Sequence, residues 1–141
     1  MHPQECIFCS IVSGRNQAAI VYKDSFSIAF LDKTPLFPGH TLLVPRNHVS
    51  ELEALSPEET GLLFNTARLL TIAVEKATFA QGTFIAVNNK VSQSIPHLHV
   101  HIVPRTKGDG LRGFFWPRKK YGSEKEMTDI AERISKEMNK V

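Results

Sequence analysis

Three histidines at alternate positions, His97-Leu98-His99-Val100-His101, are the densest concentration of chemistry in this 141-residue chain. In an extended strand successive side chains point to opposite faces, so the three imidazoles share one face at spacings of about 6.5–7 Å. Leu98, Val100 and Ile102 then face a core. Crowded imidazoles without partners are costly to bury and gain little from exposure, which points to function. Two chemistries fit. Imidazole is a common ligand of zinc and copper; a neutral imidazole is also a nucleophile toward phosphorus, with neighbouring histidines to bind the developing charge. Ser92-Gln93-Ser94, just upstream, favours the second, because amide N–H groups and two hydroxyls on a loop entering a strand can cradle a phosphate.

Cys6-x-x-Cys9 is the second constellation. Its spacing supplies half of a tetrahedral zinc site, and His2, His40, His48 and His97 are candidates to complete it. His48 follows one expected strand and His97 begins another, so both can lie at one end of a sheet. The chain has two cysteines in all, and a pair this close more often holds a metal or a redox couple than a structural disulfide.

The elements that must position these residues read as follows. Short runs rich in β-branched and aromatic residues predict strands at 19–23, 27–32, 41–44, 83–88 and 97–103. The first two are close enough to form a hairpin, which favours an antiparallel sheet. Ser56, Pro57 and Glu59 form a capping box for a helix whose apolar stripe, Leu63, Ala67, Leu70, Val74 and Ala77, runs on toward Gly82. Ser123 and Glu126 repeat the box for a second helix, over about 123–139, with Met127, Ile130, Ile134 and Met138 on one face. Residues 6–14 read as a helical turn ended by Gly14. The expectation is an α+β fold, one sheet of about five antiparallel strands with two main helices.

Composition bounds the rest. No linker or repeat divides residues 1–141, and 42% hydrophobic residues are enough for one domain with a real core. No apolar run approaches the roughly 20 residues of a membrane span, and the N-terminus lacks the basic and apolar stretches of a secretory signal, so a cytoplasmic protein is expected. The net charge of +3 is uneven. Residues 104–121 hold six basic side chains against Asp109, beside Phe114, Phe115 and Trp116. Such a stretch suits phosphates, bases or a partner surface.

Residues 93–103, Gln93-Ser94-Ile95-Pro96-His97-Leu98-His99-Val100-His101-Ile102-Val103, resemble the histidine triad signature of the HIT superfamily of nucleotide-binding proteins. Cys6-Ile7-Phe8-Cys9, Ala29-Phe30-Leu31-Asp32 and Gly39-His40-Thr41-Leu42-Leu43-Val44-Pro45 with His48 resemble it in the same order, over roughly residues 6–105. The resemblance implies that His99 is the nucleophile, forming a nucleotidyl-histidine that water hydrolyses. His101 would contact the phosphoryl oxygens, His40 support the cluster, Gln93 and Ser94 line the phosphate loop, and Ser94 help protonate the leaving group. Asp32 would bind the ribose hydroxyls, Asn88 lie near the phosphate or leaving group, and Phe8, Ile11 and Phe30 flank a purine base. By its zinc-bearing members, of Hint-like bacterial type, the family implies a structural Zn²⁺ on Cys6, Cys9, His48 and His97, and a homodimer with joined sheets. Nucleic acid is not required, although the basic segment keeps cleavage of adenylylated nucleic-acid ends as one alternative. A dinucleoside polyphosphate hydrolase and a non-catalytic nucleotide- or zinc-binding module are the others. Ser92 departs from the family, many of whose members have glycine before the glutamine, and the loop from Asn88 to Gln93 is short.

Overall fold

The computed structural model describes residues 5–112 and 118–141. Its order is α1 (Ile7–Val12), β1 (Ile20–Lys23), β2 (Ser27–Leu31), β3 (Thr41–Pro45), a 3-10 turn (Leu52–Ala54), α2 (Pro57–Thr78), β4 (Gly82–Ala86), β5 (Val100–Arg105) and α3 (Glu124–Met138). The fold is α+β, with one antiparallel sheet in the order β1-β2-β3-β5-β4. The chain divides into two compact units, Met1–Asp109 and Gly110–Val141; the sheet, α1 and α2 belong to the first and α3 to the second.

Local chemistry explains most of these boundaries. Asp24 turns the β1–β2 hairpin by accepting from the backbone N–H groups of Phe26 at 2.8 Å and Ser27 at 2.7 Å. The capping box of α2 is complete: Ser56 Oγ accepts from Glu59 N, and the Glu59 carboxylate accepts from Ser56 N. The helix ends at Thr78 rather than running to Gly82, because Phe79 takes a left-handed conformation (φ 58°) and Gly82 opens β4. Ala77, expected in the buried stripe, is exposed; Thr66 joins Leu63, Ala67, Leu70 and Val74 there. In α3, Glu126 N donates to Ser123 Oγ, but the Glu126 carboxylate accepts from Gly122 N, so the reciprocal half of the box is not formed on Ser123. Met127, Ile134 and Met138 of that helix are exposed.

The central strands are buried on both faces, and their period of two sorts side chains into two clusters. Ala29, Leu43, Leu98, Val100 and Ile102 pack with Leu63, Ala67, Leu70 and Val74 of α2. Ile28, Phe30, Leu42 and Val44 pack on the other side with Cys6, Phe8 and Ile11 of α1. The histidine segment alternates between the two, so its imidazoles share the α1 side as expected. It is not all strand, however. Pairing with β3 begins at Val100, because the Leu98 N–H donates to Val49 O at 2.7 Å outside the sheet. Of the basic segment, Arg105 is paired with Asp109 at 2.6 Å, while Phe114, Phe115 and Trp116 lie outside the described residues, as does His2.

Candidate active site and metal centre

Cys6 caps the N-terminus of α1, and the helical turn brings Cys9 beside it, with Cys9 N donating to Cys6 Sγ at 3.5 Å. His48 follows β3, and His97 precedes β5. Cys6 Sγ lies 3.4 Å from His97 Nδ1, while Cys9 Sγ lies 3.3 Å from His48 Nδ1 and 3.6 Å from His97 Nδ1. All four ligand atoms fall within 4.8 Å of one another. A tetrahedral zinc with bonds of about 2.0–2.3 Å separates its ligands by roughly 3.3–3.8 Å, so the donor set fits zinc in type and spacing. His97 Nε2 donates to Pro45 O at 2.8 Å, which leaves Nδ1 as the lone pair facing the thiols. Burial holds His97 down at about 4 and pushes Cys9, also hydrogen-bonded to Cys6, up to about 11. Any metal must therefore displace thiol protons on binding.

Two residues further on, the ring nitrogens exchange roles. His99 Nδ1 is 2.7 Å from the carbonyl oxygen of His97, so Nδ1 carries the proton and Nε2 the free lone pair. His101 is set by a longer chain of contacts. Leu36 N donates to His40 Nδ1 at 3.1 Å, so neutral His40 is protonated at Nε2 and donates to His101 Nδ1 at 2.9 Å. His101 then carries its own proton on Nε2, as a donor. Burial, reinforced by His99 and His40, lowers His101 to about 4; burial also lowers His40, against the opposing pull of Asp32. Gly39 makes this position possible: at φ +100°, a Cβ there would stand 2.5 Å from Thr78 Cγ2.

A cavity of about 530 Å³ opens on these rings. Phe8, Ile11 and Phe30 give it an apolar wall, and Asp32, Ser94, His99 and His101 give it polar groups. Phe8 meets His99 edge-on at 5.1 Å and Phe30 at 5.4 Å, so one ring supports both the wall and the imidazole. Thr34 N donates to Asp32 Oδ1 at 2.9 Å, leaving Oδ2 3.8 Å from His40 Nδ1.

Residues 13–108 match the HIT domain family. The chain belongs to that family. An uncharacterised HIT-like protein of Saccharolobus solfataricus is 42% identical over 122 residues, 84% of this chain and 88% of the relative. The adenylylsulfatase HINT3 of Arabidopsis thaliana is 34% identical over 109 residues, 76% of this chain and 55% of the relative. A zinc-bound histidine triad family protein from Mycobacterium smegmatis superposes with a TM-score of 0.74 at 30% identity, covering 95% of this chain and 99% of that one. The chain is thus a HIT family protein of the nucleotide-handling kind. Among the described residues no helix is long and apolar enough to cross a membrane.

Within this HIT domain, Asn88 and Gln93 stand off the cavity wall, and His40 stands behind His101. The Gln93 side-chain amide donates to Ser50 O at 2.6 Å, so it anchors the loop that carries Ser94. Leu36 and Pro45 escaped the sequence reading because they act through backbone groups, which carry no residue-type signature. Thr34 and Lys33 on the cavity wall were missed as well, although Asp-x-Thr is a legible turn signal.

Proposed function

We propose that this HIT protein is a nucleotidyl hydrolase acting on the α-phosphorus of a purine nucleotide derivative, a phosphoramidate or adenylylated compound. The observation that carries this is His99, which lines the cavity with Nδ1 tied to a carbonyl oxygen. Its Nε2 lone pair attacks phosphorus, the bond to the leaving group breaks, and the leaving group takes a proton from the Ser94 hydroxyl. Water then cleaves the Nε2–P bond, its hydroxyl going to phosphorus and its remaining proton restoring the Ser94 hydroxyl, and the nucleoside monophosphate is released. His101 Nε2–H donates to a phosphoryl oxygen as charge develops, Asp32 receives the ribose hydroxyls, and Phe8, Ile11 and Phe30 hold the base. The loop of Gln93 and Ser94 completes the phosphate side, while Asn88 stands off the cavity wall.

A structural Zn²⁺ on Cys6, Cys9, His48 and His97 belongs to this reading, supported by the ligand spacing and the zinc-bound relative. It ties the N-terminus to the sheet. A cytoplasmic homodimer joined at the sheet edge is also part of it. Its support is β4 at that edge, with Ile85 exposed there and Leu62, Leu69 and Ile72 exposed on α2; sedimentation velocity reads the assembly. For the reaction, incubation with adenosine 5′-phosphoramidate should release AMP and, on acid-free quenching, leave a nucleotidyl group on His99. If neither appears across the neutral pH range, the protein is instead a nucleotide-binding module. Faster release from a dinucleoside polyphosphate would move the leaving group from an amine to a phosphate.

A further inference from the structure

The loop that brings Ser94 to the cavity is held from behind by residues outside the signature. Two of its residues, Lys90 (φ 73°) and Ser92 (φ 60°), occupy the left-handed region without being glycine, a conformation that persists when surroundings enforce it. Residues 49–53 supply that enforcement. Leu98 N donates to Val49 O, Gln93 Nε2 to Ser50 O and Ser50 Oγ to Pro96 O at 2.7, 2.6 and 3.0 Å. At the far end, Leu52 N donates to Asn89 Oδ1 at 2.9 Å and Asn89 Nδ2 to Glu53 Oε2 at 2.8 Å, while Glu53 Oε1 pairs with Lys90 Nζ. Both oxygens of one carboxylate therefore grip consecutive loop residues. Lys90, then Asn89, pull the Glu53 carboxyl down to about 2, so it is ionised throughout the neutral range.

We propose that Glu53 is a positioning residue for phosphate recognition: by gripping Asn89 and Lys90 it fixes the loop so that Ser94 and its amide neighbours meet the nucleotide's phosphate. Glu53 is exposed and does not line the cavity, so it acts only through the loop. An exposed ion pair contributes little to global stability, which separates a positioning role from a structural one.

The inference rests on the phosphate-loop reading above, and its test keeps the two apart. Calorimetric titration of the full chain with AMP and with adenosine compares ligands that differ by the phosphate alone. Glu53→Ala should weaken AMP binding about fivefold, the equivalent of one lost ordinary hydrogen bond, and leave adenosine within about twofold. Glu53→Gln retains an acceptor for Asn89 and should fall between the two. Unchanged AMP binding in Glu53→Ala, or an equal loss for both ligands, overturns the proposal while the functional reading stands. No preference of the unmodified protein for AMP over adenosine would instead overturn the phosphate site itself.

Discussion

His97 and His99 are two residues apart on one segment, share the α1 side of the sheet and both contact Phe8, yet they are set up for opposite tasks. In His97 the Nε2–H is fixed by Pro45 O and Nδ1 faces two thiols; in His99 the Nδ1–H is fixed by His97 O and Nε2 is left for the cavity. In the function proposed above, the identical side chain serves as a metal ligand or as a nucleophile according to which nitrogen a carbonyl oxygen captures. The two share the His97 backbone and the Phe8 ring: the His97 ring serves the cysteines, its carbonyl serves His99, and Phe8 packs edge-on against both imidazoles. The two centres are therefore joined covalently but separable chemically.

The sharpest way to break this comparison is His99→Ala. It should reduce AMP release on the order of 10⁴-fold or more, as loss of a nucleophile does, with zinc content unchanged. Equal loss of zinc in that variant would show that the centres are not separable. Cys9→Ser tests the other side. Zinc should be lost and the melting temperature should fall by about 10 °C, equivalent to roughly 3 kcal/mol. Below the melting transition kcat should stay within about threefold of native, because the His97 carbonyl still holds His99; abolished turnover in a folded, zinc-free protein would make the metal part of catalysis.

Smaller effects probe the His40–His101 relay. His40→Phe removes the donor that keeps the His101 proton on Nε2, and the rate should fall about 10²-fold, as for loss of one transition-state donor, with zinc retained. The smallest effect concerns pH. Folded His40 and His101 titrate below their ordinary value of 6.5, His101 at about 4, so between pH 6.5 and 4 the unfolded chain binds more protons. Stability therefore rises with pH through that window and falls on acidification. Calorimetry of His101→Gln beside the unmodified protein, at equal zinc content, should show a shallower acid decline in the variant; parallel curves would place the titration elsewhere.

Much of the architecture was legible in the sequence because local rules and tertiary packing agree. Short runs rich in β-branched and aromatic residues at 27–31 and 41–45 mark strands that are buried on both faces, and Ser56-Pro57-x-Glu59 reports the start of α2. The misreadings have two causes, a backbone group captured by a partner distant in sequence and a local choice at a helix end. The histidine strand began three residues late because Val49 captures the Leu98 N–H, and α2 ended early because Phe79 accepts a left-handed turn expected of glycine. The Glu126 carboxylate chose Gly122 N for similar reasons of proximity.

The sequence by itself determined the inventory: three imidazoles on one side, two thiols one helical turn apart, a carboxylate at Asp32 and a polar loop before the triad. Those follow from residue type and from the fixed periods of strand and helix, which need no distant partner. Tertiary structure alone decided what the ring nitrogens of His97 and His101 do. That choice depends on Pro45 O, 52 residues from His97, and on Leu36 N, reached through His40, 61 residues from His101. A tautomer is set by the hydrogen bond its ring finds, and the fold supplies that bond.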